Sequence, residues 1–179
     1  IVDECGVSGA CVLLAADKGS GKTSLMYGMA AAIQNGESFM GQLSTQKRNV
    51  LIWQADESRD NLINKFNTMG VEADIHLLMA DEGFSDLDLT ILSQVVLEHK
   101  IGVVFLDSVT TLLRGKGIRM NDPEFADALY ELNHWSSENG VLTIISCHLR
   151  KPDESKKVRE VSSDSIVGSG LQSAAVSDI

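Results

Sequence analysis

The chain has 179 residues, of which 44% are apolar and 22% charged, a balance that excludes a disordered tail or a collagen-like repeat and suits one domain with a sizeable core. Its formal net charge is −10, from 15 Lys and Arg against 25 Asp and Glu, which argues against a protein that binds nucleic acid over its whole surface. No apolar run approaches the ~20 residues of a membrane span. The three cysteines, Cys5, Cys11 and Cys147, are too few for a disulfide scaffold, so a reducing, cytoplasmic setting is the expectation. No Cys/His cluster has zinc-like spacing.

In chain order, the apolar run 11–16 before a Gly-rich turn predicts a buried strand. Residues 22–34 are strong helix formers stopped by Asn35-Gly36. A strand is predicted over 49–55. A helix follows over 58–69, where Leu62, Ile63, Phe66 and Met69 recur at helical spacing and Gly70 ends the run. A strand over 75–80 and a helix over 87–100 come next, then the apolar strand 102–107. Asp122-Pro123 opens a helix to about Glu138, with Pro at the first helical position, and 141–147 is another buried strand. From His148 to Asp164 the composition predicts a mobile basic loop, and 165–179 is ambiguous. Alternating strands and helices with continuous apolar runs predict a parallel sheet covered on both faces, an α/β fold. The chain opens at Ile1 without a Met and stops at VSDI, so it reads as a single domain cut before its last strands.

Ala16-Asp17-Lys18-Gly19-Ser20-Gly21-Lys22-Thr23 has P-loop spacing with Ala in the first position. Gly19 and Gly21 allow backbone N–H groups to turn inward around a phosphate. The following helix, which begins with Lys22, Thr23 and Ser24, adds its positive end. Lys22 would reach the β- and γ-phosphates of a nucleotide, and Thr23 would ligate Mg²⁺. Asp107, closing the strand VVFLD, is placed to hold the same Mg²⁺ through water. Asp56 and Glu57 close the strand 49–55. One of them is expected to orient the attacking water, Glu57 before Asp56, although an acid pair also suits the start of the next helix. His148 ends the strand 141–147 and would contact the γ-phosphate and report hydrolysis. Cys147 reads as packing rather than as a nucleophile.

Basic residues are concentrated. Arg150, Lys151, Lys156, Lys157 and Arg159 form one group, and Arg114, Lys116 and Arg119 another, so two short segments hold 8 of the 15. Neither segment carries an aromatic residue on which a base could stack.

The order of P-loop, acid pair, Asp strand and polar strand end followed by a basic loop resembles the RecA-like ATPase core. Over nearly the whole chain, NGESFMG…RNVLIWQADES, VVFLDSVTTLL, ISCHLRK and IVGSGLQSAAVSDI resemble the AAA-type domain of RepA-like plasmid replicative helicases, which are related to DnaB. That resemblance implies an ATPase and a ring, usually hexameric, with ATP between neighbouring subunits. It also implies single-stranded DNA in the central channel, gripped by the loops after the Asp strand and after the sensor strand. On that reading Arg114, Lys116, Arg119, Lys156, Lys157 and Arg159 track the phosphate backbone. Lys151 or Arg150 would reach a neighbour's γ-phosphate. Two alternatives use the same site: a RadA- or KaiC-like switch that hydrolyses ATP without translocating, and a small-molecule kinase.

Overall fold

The computed structural model describes residues 6–17 and 19–148. Five strands, β1 (Cys11–Ala16), β2 (Asn49–Gln54), β3 (His76–Met79), β4 (Ile101–Asp107) and β5 (Leu142–His148), form one parallel sheet in the order β1-β5-β4-β2-β3. Five helices connect them: α1 (Lys22–Asn35), α2 (Arg59–Met69), α3 (Leu89–His99), α4 (Val109–Gly115) and α5 (Pro123–Asn139). The strand with the polar end, β5, is thus inserted between the strand that feeds the Gly-rich loop and the strand that ends in Asp107.

Successive side chains of each strand point to opposite faces, and both faces are covered. Val50 and Ile52 of β2, Val103 and Phe105 of β4 and Ile144 of β5 pack with Met26, Tyr27, Ala30 and Ile33 of α1 and Leu62 of α2. Their neighbours Leu51, Trp53, Val104, Leu106 and Ile145 pack on the other face with residues of α3, α4 and α5, among them Leu92, Leu112, Leu129 and Leu132. Two buried faces favour apolar residues at successive positions, which is why the strands read as largely apolar runs. Each fully buried Leu, Ile or Phe of these layers contributes ~1.5–3 kcal/mol.

The helix starts follow local chemistry. Ser58 caps α2 by accepting from the Asn61 N–H, and Asp88 caps α3 by accepting from the Thr90 and Ile91 N–H groups. Pro123 opens α5, and Gly36, Gly70 and Gly140 close α1, α2 and α5 in the left-handed conformation.

Two expectations are corrected. The strand predicted over 75–80 is shorter, because Ala80–Glu82 form a 3₁₀ turn. The segment carrying Arg114, taken as a loop, begins as helix α4. Its Val109, Thr110 and Thr111 have low helix propensity, but burial of Val109, Leu112 and Leu113 and the Ser108 cap on the Thr111 N–H hold it. Arg114 therefore lies in the last turn of a helix and Lys116 caps its end. No helix among the described residues is long and apolar enough to cross a membrane.

Candidate nucleotide site

The site is assembled where β1, β2, β4 and β5 end, the edge at which open parallel sheets bind ligands. After Ala16 the chain bends through Gly19 (φ +80°) and Gly21 (φ +90°). A Cβ added at either would meet nothing within 4 Å, so the glycines are required by the left-handed backbone rather than by space. Ser20 N–H and its hydroxyl both donate to the Asp17 carbonyl, at 3.2 and 2.7 Å, and tie the bend. Gly21 is the N-cap of α1 and offers no side-chain acceptor, and no acid sits in the helix's first turn. The Lys22 ammonium folds back onto the loop, donating to the carbonyls of Ala16 at 2.7 Å and Asp17 at 2.9 Å. Ser24 is exposed in the first turn and, with Gly21, Lys22 and Leu25, borders a cleft of about 480 Å³.

Asp107 lies across the sheet from this loop and is 84 residues away from Thr23 in sequence, yet the Thr23 hydroxyl donates to Asp107 Oδ2 at 2.7 Å. The Asp107 carboxylate is nearly fully buried. Ser146 of β5 donates to its Oδ1 at 2.6 Å, and Gln54 Nε2 of β2 donates to its Oδ2 at 3.0 Å. Gln54, Asp107 and Ser146 are each two residues beyond an apolar partner of α1 (Ile52, Phe105 and Ile144). They therefore continue, at the strand ends, the same stripe that lower down packs on α1. Thr23 and Tyr27, one turn apart on α1, face it.

The two adjacent acids part company. Glu57 is half-enclosed. One of its oxygens accepts from the Tyr27 hydroxyl and the other pairs with Lys65 of α2. Asp56 is exposed and accepts from the Thr111 hydroxyl of α4. Its backbone N–H donates to Gln54 Oε1 at 2.7 Å. Glu57 is thereby joined to Asp107 through Tyr27 and Gln54, while Asp56 is joined to the helix that follows Asp107.

The geometry brings together Ala16, Gly19, Ser20, Gly21, Lys22, Thr23, Ser24 and Asp107, with Glu57 one relay away. Arg114, Lys116 and Arg119 stand apart; Arg114 and Arg119 border a separate cleft of about 600 Å³ with Thr110 and Met120. His148 closes β5 in register with Ala16. Its side chain, Lys18, and the expected loop with Arg150, Lys151, Lys156, Lys157 and Arg159 lie outside the described residues. Cys147 is buried, and burial pushes its thiol up to about 11; Cys11 is likewise raised to about 12, so both serve as packing.

Sequence reasoning missed Tyr27, Gln54, Ser146 and Thr111. The available signal was polarity against apolar neighbours: Gln54 ends the run VLIW, and Ser146 follows Ile144 and Ile145.

A Thr hydroxyl and a single buried carboxylate beside a phosphate-binding loop are hard oxygen donors of the kind that Mg²⁺ uses together with water and phosphate oxygens. Among the described residues no three His, Cys, Asp or Glu cluster into an all-protein cage. No curated protein sequence matches the chain significantly. A family model described as AAA domain matches residues 1–154. With its five-stranded parallel sheet, P-loop geometry and that match over most of its length, the chain has a RecA-like P-loop NTPase fold and belongs to the AAA domain family, a family of ATPase-type domains.

Proposed function

We propose that the protein hydrolyses ATP and couples hydrolysis to binding or movement of single-stranded nucleic acid, as a ring-shaped homo-oligomer of the hexameric helicase type. The observation that carries the ATPase reading is the 2.7 Å contact between Thr23 and Asp107 beside the Gly19–Lys22 bend. Chance would not bring a P-loop Thr and a distant strand-end acid into hydrogen-bond range.

In this reading Thr23, and Asp107 through water, would hold Mg²⁺, which would supply positive charge to offset that of the phosphates. Lys22 exchanges the Ala16 and Asp17 carbonyls for phosphate oxygens, and the positive N-terminal end of α1 receives the rest of the phosphate charge. Glu57 orients the attacking water and accepts its proton, and Asp56 is the second choice. His148 reports loss of the γ-phosphate. Arg150 or Lys151 of a neighbouring subunit would add charge stabilisation.

The nucleic-acid part rests on charge placement in an otherwise acidic chain: Arg114, Lys116 and Arg119 follow β4 in sequence, and Lys156, Lys157 and Arg159 follow β5. Arg114 rides on the helix whose Thr111 bonds Asp56, so a ligand on that segment has a short mechanical route to the acid pair. The test is ATP turnover titrated with single- and double-stranded DNA at low and high salt. Single-stranded DNA should raise turnover several-fold at low salt and lose that effect at high salt. A DNA-insensitive rate accompanied by nucleotide-dependent assembly would replace the motor with a RadA- or KaiC-like switch.

A further inference from the structure

We propose that Tyr27 is a positioning residue for hydrolysis, its hydroxyl held between the Gln54 amide and the Glu57 carboxylate so that the base keeps a fixed place relative to Asp107. The proposal rests on the reading of Glu57 as the base.

Tyr27 is fully buried on α1, one turn after Thr23, and its ring packs edge-on against Phe66 with centroids 5.0 Å apart. Packing alone would be served by Phe, but the hydroxyl is engaged on both sides. It donates to Glu57 Oε1 and accepts from Gln54 Nε2 at 2.7 Å. The same Gln54 amide nitrogen gives its other hydrogen to Asp107 Oδ2, and Gln54 Oε1 accepts from the Asp56 N–H.

Gln54 therefore has every donor of its amide in use and its oxygen paired, in a site with no exposed surface. Flipping the amide would set its oxygen against the Asp107 carboxylate and its NH₂ against a backbone N–H. That double conflict fixes the orientation. Fixed donors on Gln54 leave the Tyr27 oxygen as the acceptor and its proton for Glu57. Donation thus runs outward from Gln54, to Asp107 on one side and through Tyr27 to Glu57 on the other. Burial, and then the bond to Glu57, push the phenol far above its ordinary range, so it stays a donor. Lys65, at the half-exposed end, takes the other Glu57 oxygen. The base is thereby gripped from two sides, with the buried grip tied to the metal-binding acid.

The experiment compares steady-state ATP turnover and ATP-analogue affinity in Tyr27→Phe, Glu57→Gln and the double variant. Tyr27→Phe keeps the ring and its packing. It should lower kcat by roughly 10- to 100-fold, the range of a mispositioned base, with KM and analogue affinity within about twofold. Glu57→Gln should lose turnover more severely, and adding Tyr27→Phe to it should cost nothing further, since a residue acting through the base has no effect without it. With Glu57→Gln impaired, a Tyr27→Phe enzyme of wild-type kcat, or one weakened only in affinity, overturns the proposal alone, as does an additive double variant. Wild-type turnover in Glu57→Gln overturns the assignment of the base and the proposal with it.

Discussion

Among the described residues, two buried polar clusters sit in this sheet, and they are built differently. On the face covered by α5, Ser136 and Thr143 share a hydrogen bond of 2.6 Å. Ser136 gives its own proton to the Leu132 carbonyl at 2.8 Å, so Thr143 is the donor of the pair. That cluster is neutral and closed on itself. On the α1 face, Gln54, Asp107 and Ser146 join Thr23 and Tyr27, and the cluster holds a carboxylate and opens onto the Gly19–Lys22 bend. Burying a charge is far costlier than burying a hydroxyl, and three donors aimed at one carboxylate offset that cost. Burial of polar groups alone therefore does not mark a site in this protein. The proposed site is the cluster that carries a compensated charge and opens onto the Gly-rich bend.

The contrast can be broken at its open end first. Lys22→Ala should reduce ATP turnover by at least ~100-fold, because it removes the cation aimed at the developing charge; unchanged turnover in a steady-state assay would remove the site altogether. A matched pair of smaller changes sharpens the comparison. Ser146→Ala leaves Asp107 short of a donor and should cost about 2 kcal/mol in chemical denaturation as well as lowering turnover, whereas Thr143→Val should cost about 1 kcal/mol and leave turnover unchanged. Equal effects of the two on turnover would erase the distinction between the clusters.

The smallest effect lies away from both. Asp88 accepts from the Thr90 and Ile91 N–H groups, which hold its carboxyl below the ordinary aspartate range. A group lowered in the folded state stabilises it above the ordinary value and loses that contribution as pH falls through the lowered one. Asp88→Ala should therefore melt below the wild type at neutral pH, and the gap in Tm should close as the solution is made acid.

The strands were legible because both faces of the sheet are covered, so VLIW in β2 and VVFL in β4 admit no polar alternation. The Gly-rich bend was legible because its spacing is local, as was Asp107 at a strand end. Helix α4 was not: its three β-branched residues argue against a helix, and only the burial of Leu112 and Leu113 overrides them. Nor were Tyr27 and Gln54 legible. Their bonds join residues 27 and 53 positions apart, and no window along the chain contains that proximity. The different settings of Asp56 and Glu57 are of the same kind, since their partners Thr111 and Tyr27 are not sequence neighbours.

Trp53 immediately precedes Gln54 and has no exposed surface, its indole N–H donating to the Phe84 carbonyl at 2.8 Å. The chain's other indole, Trp135, is also buried and bonds the Ser93 hydroxyl at 2.8 Å. The strand that carries the site thus contains its own fluorophore in a dry, rigid setting. Rearrangement around Gln54 can be followed by ultraviolet emission without attaching a dye, with Trp135 replaced by Phe to leave a single signal.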